Sequence, residues 1–574
     1  RGSYQFAQQM LRQVAYDTLS RRDRKARHLK VAAHLRAAFA GDGEEVADVI
    51  ARHYLDALAA APEDHDAERI RAEAAAARVR AAERAERTGA LAQATASYAS
   101  AAELTPVRDA GGQQAAGRLW ERATQAAVDA GDYAAAVRAA DRARAEYRRC
   151  GQARAAARVQ VIAGNALRLW GHTAEARDQL TAAMGVLRAD PDRDTVRALD
   201  QLATVAVFSG SADADQLTAE ALDLGQDLDV DAGLLGGLFL TRGIYLGLAG
   251  RRPQAIAYLR EAARLVTQAG DTLSLGRTFL NLAHELSPID PAAAAETART
   301  AIGHLRRTGA RDYLAVGVAN LSQALLMLGD WDAAEAELGQ AADADGLAGN
   351  EILVVHQAWL AAVRGDADRA QTLLTALPDL RASEEPQTQA LLALVAAFAA
   401  AARPGLADTL SRARATLAHI DAVGAAHEAT CWTWPLAARA AWQLADSATT
   451  GDLLAMLDAH QPGQLPPMLR AERDLARARL ASENSENGDE LAAVITGVRE
   501  HSTPYYVAHA LLDHAQLLAR SGRAEAAAQA VDEAVAIAVQ LRCQPLIDRA
   551  AEMKPDLTAA AGARLRTHAT GTPT

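Results

Sequence analysis

A two-residue turn signal returns along the middle of this chain at an almost constant interval. Gly131-Asp132, Gly171-His172, Gly210-Ser211, Gly250-Arg251, Asp290-Pro291, Gly329-Asp330 and Gly365-Asp366 are separated by 40, 39, 40, 40, 39 and 36 residues. A fixed period of this length marks stacked supersecondary units rather than several unrelated domains. Apolar helical runs precede the turns, as in Leu167-Arg168-Leu169-Trp170 and Leu325-Leu326-Met327-Leu328. After each of three turns the same grammar follows: Ala176, Leu180 and Ala183 after Gly171; Ala255, Leu259 and Ala262 after Gly250; Ala334, Leu338 and Ala341 after Gly329. Steps of four and three place these side chains on one face of a helix. The alanines predict close approach of two helices, the leucine fills the groove between hairpins, and the glycine ends the first helix in a left-handed turn. One such hairpin cannot bury its apolar face alone, so neighbours must stack.

Composition agrees with an all-α interior. Half of the 574 residues are hydrophobic but only 4% are aromatic, so alanine and leucine must build most of the core. The repeats are expected to be regular over 111–380 and irregular over 381–480, with a loop at 481–490. A final repeat and capping helix are expected over 491–555, and a frayed tail over 556–574. Ahead of them, 41–110 is expected to hold linking helices and a first hairpin, with loops at Ala61–Asp66 and Leu104–Gln114.

Several chemistries are excluded or left without support. The only lysines are Lys25, Lys30 and Lys554, and none closes a phosphate-cradling G-x-x-x-x-G-K-[ST] loop. A net charge of −12 argues against a chain-wide nucleic-acid surface. Cys150, Cys431 and Cys543 form no C-x-x-C spacing, and no apolar run approaches 18 residues. A cytoplasmic location is therefore expected, with no membrane span, no cofactor and no catalytic or metal-binding residue. His501, His509 and His514 do not share one helical face; His427 and Cys431 at i and i+4 give only two ligands; Asp513 and His514, adjacent on a helix, point apart.

The repeat resembles the tetratricopeptide (TPR) superfamily in a variant longer than its short form of about 34 residues. The small residues of that motif match Gly164, Ala176 and Ala183 in one unit and Gly243, Ala255 and Ala262 in another; the proline that often ends the short repeat is mostly missing. The resemblance implies a right-handed superhelical solenoid of helix hairpins whose first helices line a concave wall. Asn165, Asn281, Asn320 and Gln323 fall on such first helices and, with Trp359, are the candidate groove residues for a protein or peptide, or for a small-molecule effector. Trp170 and Trp331 are expected at hairpin corners.

The N-terminal residues carry a second resemblance. Phe6, Met10, Leu11 and Val14 make an apolar helix face; Ser20, with Asp23 three positions on, reads as the cap of the next helix, whose buried stripe would be Leu29, Ala32, Ala33 and Leu35. Arg21, Arg22, Arg24, Lys25, Arg27 and Lys30 form the only dense basic run, and the first five are the candidate interdomain interface. Phe6, Leu11, Val14-Ala15-Tyr16, Leu19, Arg24, His28, Val31-Ala32, His34 and His53-Tyr54 resemble the segment after the nucleotide-binding module in actinobacterial AAA/STAND-type signalling ATPases, most like those fused to class III adenylate or guanylate cyclases. Where those families commonly carry a basic-histidine pair, this chain has Ala7-Gln8. The resemblance implies that 1–40 is the remnant of a winged-helix or lid subdomain, with ATPase and cyclase domains upstream as partners. The chain itself is then expected to be a non-catalytic regulatory and interaction scaffold; the alternative is the effector-sensing region of a STAND-type transcriptional activator.

Overall fold

The computed structural model describes residues 16–39, 44–377, 380, 383, 386–461, 463–482 and 489–553, and among them helix follows helix with no strand. The face of Phe6, Met10, Leu11 and Val14, most of the 481–490 loop and the 556–574 tail lie outside the described residues. The chain divides into two compact units, Arg1–Val230 and Asp231–Thr574.

Within each unit the hairpin grammar is realised. The helices Ala153–Leu169 and Thr173–Leu187 are joined by three residues, as are Ala232–Leu248 and Arg252–Ala269, so each pair runs antiparallel. Gly131, Gly171, Gly210, Gly250, Gly329 and Gly365 all have positive φ, between 64° and 102°. At the interface of each pair, a small residue on the first helix faces a leucine on the second. A Cβ on Gly164 would lie 2.6 Å from Leu180 Cγ, and one on Gly243 would lie 2.8 Å from Leu259 Cγ. Ala176, Leu180 and Ala183, and likewise Ala255, Leu259 and Ala262, are completely buried. These contacts define TPR-like hairpins. At the start of the described chain, the Ser20 side chain accepts from the Asp23 backbone N–H at 3.1 Å and caps the Arg21–Ala38 helix. The 104–114 stretch is a loop only as far as Asp109: the Asp109 carboxylate accepts from the Gly112 N–H at 2.7 Å, so helix Ala110–Asp129 starts inside the expected loop.

The second unit is more than a row of nearest neighbours. Its regular hairpins give way to Pro386–Ala401, Leu406–Leu417, the single turn Ile420–Val423, Glu428–Gln443 and Ser447–Asp458. The final helices, Pro504–Arg520, Ala524–Leu541 and 544–553, then pack against residues 326–365. Cys543 Sγ donates to the Val363 carbonyl at 3.2 Å across 180 residues of chain, Arg542 pairs with Asp332 at 2.7 Å, and Trp331 lies 6.1 Å from Tyr505. One hydrophobic cluster runs from Leu326 to Ala550. Contact reaches beyond neighbouring hairpins here, where several large aromatics collect in one place. Trp331, Trp359, Phe398, Trp432, Trp434, Tyr505 and Tyr506 are all at most 5% exposed, and each large ring needs more contact area than one alanine-faced hairpin can give.

Two turn glycines serve this seam directly. A Cβ on Gly329 would meet Pro504 Cγ at 2.8 Å, and one on Gly365 would meet Pro545 Cδ at 2.6 Å. Gly309 has the same left-handed backbone, φ 70°, with nothing near its missing Cβ. Gly309→Ala is expected to lose about 1 kcal/mol from backbone strain alone, and Gly365→Ala a further 1–3 kcal/mol or so from overpacking. Urea-denaturation midpoints of the two variants compare these costs within one unit; equal shifts would contradict the seam.

Candidate functional site

The basic run on the first described helix separates into internal and external charges. Lys25 is buried, and its ammonium holds Asp64 at 2.6 Å and also Asp66, both in the loop that follows helix Ala47–Ala60. Arg24 turns back on its own segment: Nε donates to the Leu19 carbonyl, Nη2 donates to that of Asp17, and the guanidinium lies 4.8 Å from the Tyr16 ring centre. Arg21, Arg22 and Arg27 are exposed. Arg21, Arg22 and Lys25 also line a cleft of about 640 Å³, whose other wall carries Pro62, Glu63 and Asp64. The five basic residues therefore do not act as one surface.

The candidate groove residues are not equivalent either. Asn165, Asn281 and Asn320 are half-buried, and each amide is already engaged. Asn165 accepts from Arg168, Asn281 donates to the Arg277 carbonyl, and Asn320 donates to the Leu280 carbonyl one repeat earlier, at 3.0 Å. Gln323 is buried. Trp359 is completely buried and stacks edge-on against Trp432 at 5.2 Å, so it presents no face to a ligand. Trp331 is likewise internal, its indole N–H donating to the Leu326 carbonyl, whereas Trp170 is 47% exposed and lies 4.6 Å from the His172 ring.

Sequence reasoning missed a polar centre inside the second unit. Asp513, which is fully buried, accepts from Arg479 at 2.5 Å, from Arg549 at 2.5 Å and from Arg439 at 3.4 Å. Arg479 also covers the Trp442 ring, and Arg549 reaches His509 Nδ1 at 3.3 Å. Nearby, Ser502 donates to buried Glu472 at 2.5 Å. Burial by itself would raise the Asp513 carboxyl, but Arg479, Arg549 and Arg439 outweigh it and hold it well below the usual carboxylate range. Burial, with Arg439 and Arg549 beside it, drives His509 far below the usual imidazole value, so its ring is neutral. Glu472 has too little opposing charge, and burial pushes it up to about 7. Burial also pushes the Cys431 thiol up to about 12, which leaves no thiolate near neutral pH. His427, four residues earlier, uses Nδ1 to accept from the Ala429 N–H. The arrangement is a charge lock between helices, not a nucleophile with its base. Arginines at 439, 479 and 549 within alanine-rich helical runs were the available signal.

No family model matches the chain, and no curated protein matches it. Among solved structures it is similar to a Rap protein complexed with competence and sporulation factor, at 11% identity and TM-score 0.39, over 67% of this chain and 98% of that one. It is also similar to the Cut9–Hcn1 hetero-tetramer of the APC/C, at 14% identity and TM-score 0.42, over 94% of this chain and 98% of that one. A third is yeast Tom70, at 13% identity and TM-score 0.28, over 87% and 97%. Likeness at this level assigns no partner and no activity. What the chain's own contacts establish is a TPR-like helical-repeat fold. Among the described residues no helix is long and apolar enough to cross a membrane.

Removing the single carboxylate from the lock strands buried guanidinium groups, so Asp513→Asn is expected to cost about 3–5 kcal/mol, read as a lowered urea midpoint. Glu472 works in the opposite sense. Because its folded pKa of about 7 lies above the reference value of 4.5, the folded state holds the extra proton between those pH values. Its contribution is therefore fully present below about pH 4.5 and is lost as pH rises through 7, at most about 3 kcal/mol. Glu472→Gln, which still accepts from Ser502, should raise Tm at pH 8 and lose that advantage by pH 4.5; a pH-independent difference would contradict the assignment.

Proposed function

We propose that the chain is a non-catalytic protein-interaction scaffold, the regulatory region of a multidomain signalling ATPase or nucleotide cyclase. One observation carries the interaction surface. Large apolar side chains stand exposed at hairpin corners in successive repeats: Trp170 at 47% and Phe208 at 62% in the first unit, Leu248 at 47% and Ile289 at 42% in the second. Each lies within two residues of its turn. Isolated exposed apolar residues are ordinary, but recurrence one or two residues before successive turns gives a partner a pair of anchors within each unit. The exposed Arg21, Arg22 and Arg27 beside the acidic-walled cleft would contact the adjoining domain, and the half-buried asparagines of the first helices would border the protein or peptide partner. The parentage rests on the resemblance of the N-terminal residues.

Purified chain should form no cyclic nucleotide and hydrolyse no ATP; measurable turnover of either would refute the non-catalytic reading. Photo-crosslinking residues placed at Trp170 and Phe208 in living cells should give discrete protein adducts, whereas one at Thr300, exposed in the middle of helix Pro291–Thr308, should not. Equal adducts at all three positions would sink the corner surface. The complete reading frame tests parentage separately: ATPase or cyclase domains are expected, and a terminal helix-turn-helix would instead favour a transcriptional activator.

A further inference from the structure

The first described helix fully buries no large apolar side chain, although Leu29 and Leu35 pack part-buried against its neighbours. Of the residues of Arg21–Ala38, only Lys25 and Ala32 are buried, and Lys25 is tied to the 61–66 loop by ion pairs. The cluster it joins consists largely of alanine, with Ile50, Tyr54 and Ile70 as its bulky members. Beside this part-buried packing three polar side chains meet between the helix and Ala47–Ala60. His53 and Asp56 stand at i and i+3 on Ala47–Ala60, which brings them to one face. His28 faces them from the other helix. Its Nδ1 lies 2.9 Å from His53 Nδ1 and 3.7 Å from an Asp56 carboxylate oxygen, and one donor atom from each of the three residues lies within 4.8 Å of the other two.

The remaining nitrogen of His28 is already engaged. Its Nε2 is 2.9 Å from the Tyr16 hydroxyl, whose ring packs edge-on against the imidazole. When Nε2–H donates to Tyr16 Oη, the Nδ1 lone pair points at His53 and Asp56. That is the outer-shell arrangement that fixes the tautomer and ring orientation of a metal-binding histidine. A single proton between the two Nδ1 atoms would satisfy the histidine pair alone and leave the carboxylate to solvent; a divalent cation engages all three groups together.

We propose that His28, His53 and Asp56 form a three-ligand site for a divalent transition-metal cation of the zinc class, clipping the first described helix to the second. Imidazole and carboxylate donors suit such ions, and with ligand bonds of about 2.0–2.2 Å the donors of a tetrahedral site lie roughly 3.4 Å apart. The observed 2.9 and 3.7 Å bracket that value and the third separation is within 4.8 Å, so the three donors stand within reach of one ion. Asp56, whose side chain is 45% exposed, opens one side to solvent, and the fourth coordination position faces water or a partner's side chain. The Tyr16 hydroxyl acts as a positioning group.

The test is a titration of the chelator-stripped full chain with Zn2+ by calorimetry and with Co2+ by visible absorption. One equivalent per chain and the intense absorption of tetrahedral cobalt are expected, together with slower hydrogen exchange along Arg21–Ala38 when Zn2+ is bound. His28→Gln and His53→Gln should each weaken Zn2+ binding by about a hundredfold or more, and Asp56→Asn, at a part-exposed position, by about tenfold while the circular dichroism is unchanged. His172→Gln, at an exposed histidine of another hairpin, should bind as the parent does. Failure to bind one equivalent, or binding indifferent to all three cluster substitutions, would overturn the site.

Discussion

Close approach of helix backbones at small residues is the constraint on which this structure depends. A leucine such as Leu180 or Leu259 reaches the space where the partner helix has glycine, and alanines on either side let the helices meet across a thin interface. Little apolar area is buried per residue in such an interface, and the hairpin gains stability only by sharing its faces with the hairpins before and after it. Left-handed glycines turn the chain at six of the seven regularly spaced corners.

In the second unit this thin packing is supplemented by a thick one. Most of the large buried rings of the chain lie between residues 326 and 550, and the polar lock around Asp513 sits beside them, with three guanidinium groups drawn from three different helical segments onto one carboxylate. Apolar surface sets no particular register, whereas a buried carboxylate with fixed arginine partners does. The energetic asymmetry is large: the intact network is nearly neutral against an apolar alternative, but any missing member leaves a charge in a medium that cannot solvate it. The same logic explains why Glu472, with one hydroxyl donor and only distant positive charge, sits nearer its protonated form than its neighbour.

The surfaces left for partners follow from these two modes of packing. Where hairpins stack thinly, corner residues such as Phe208 and Leu248 have no neighbour to cover them. At the start of the described chain, polar contacts supplement a small apolar cluster: Lys25 with its two aspartates, and the His28, His53 and Asp56 group. A helix held by charge and imidazole as well as by a small apolar cluster is more easily shifted by ions or by a neighbouring domain, which suits a segment proposed to pass a signal between domains.

The period, the hairpin grammar and the buried Ala-Leu-Ala faces were legible because they are local: residues three, four or seven apart on one helix share a face whatever the rest of the chain does. The turn glycines were legible for the same reason. Trp170 and Trp359 illustrate the limit. Trp170 caps the first helix of its hairpin and Trp359 lies within one, yet one is exposed and the other fully enclosed, because Trp432, from a helix about seventy residues further on, packs against Trp359. Asp513 with its arginines, and His28 with His53, lie on separate helices with 25 to 74 residues between partners. The sequence by itself determined the repeating helices and their inward faces; tertiary structure decided which polar groups meet and which apolar ones stay outside, since contacts between distant helices depend on accumulated packing angles that no local pattern encodes.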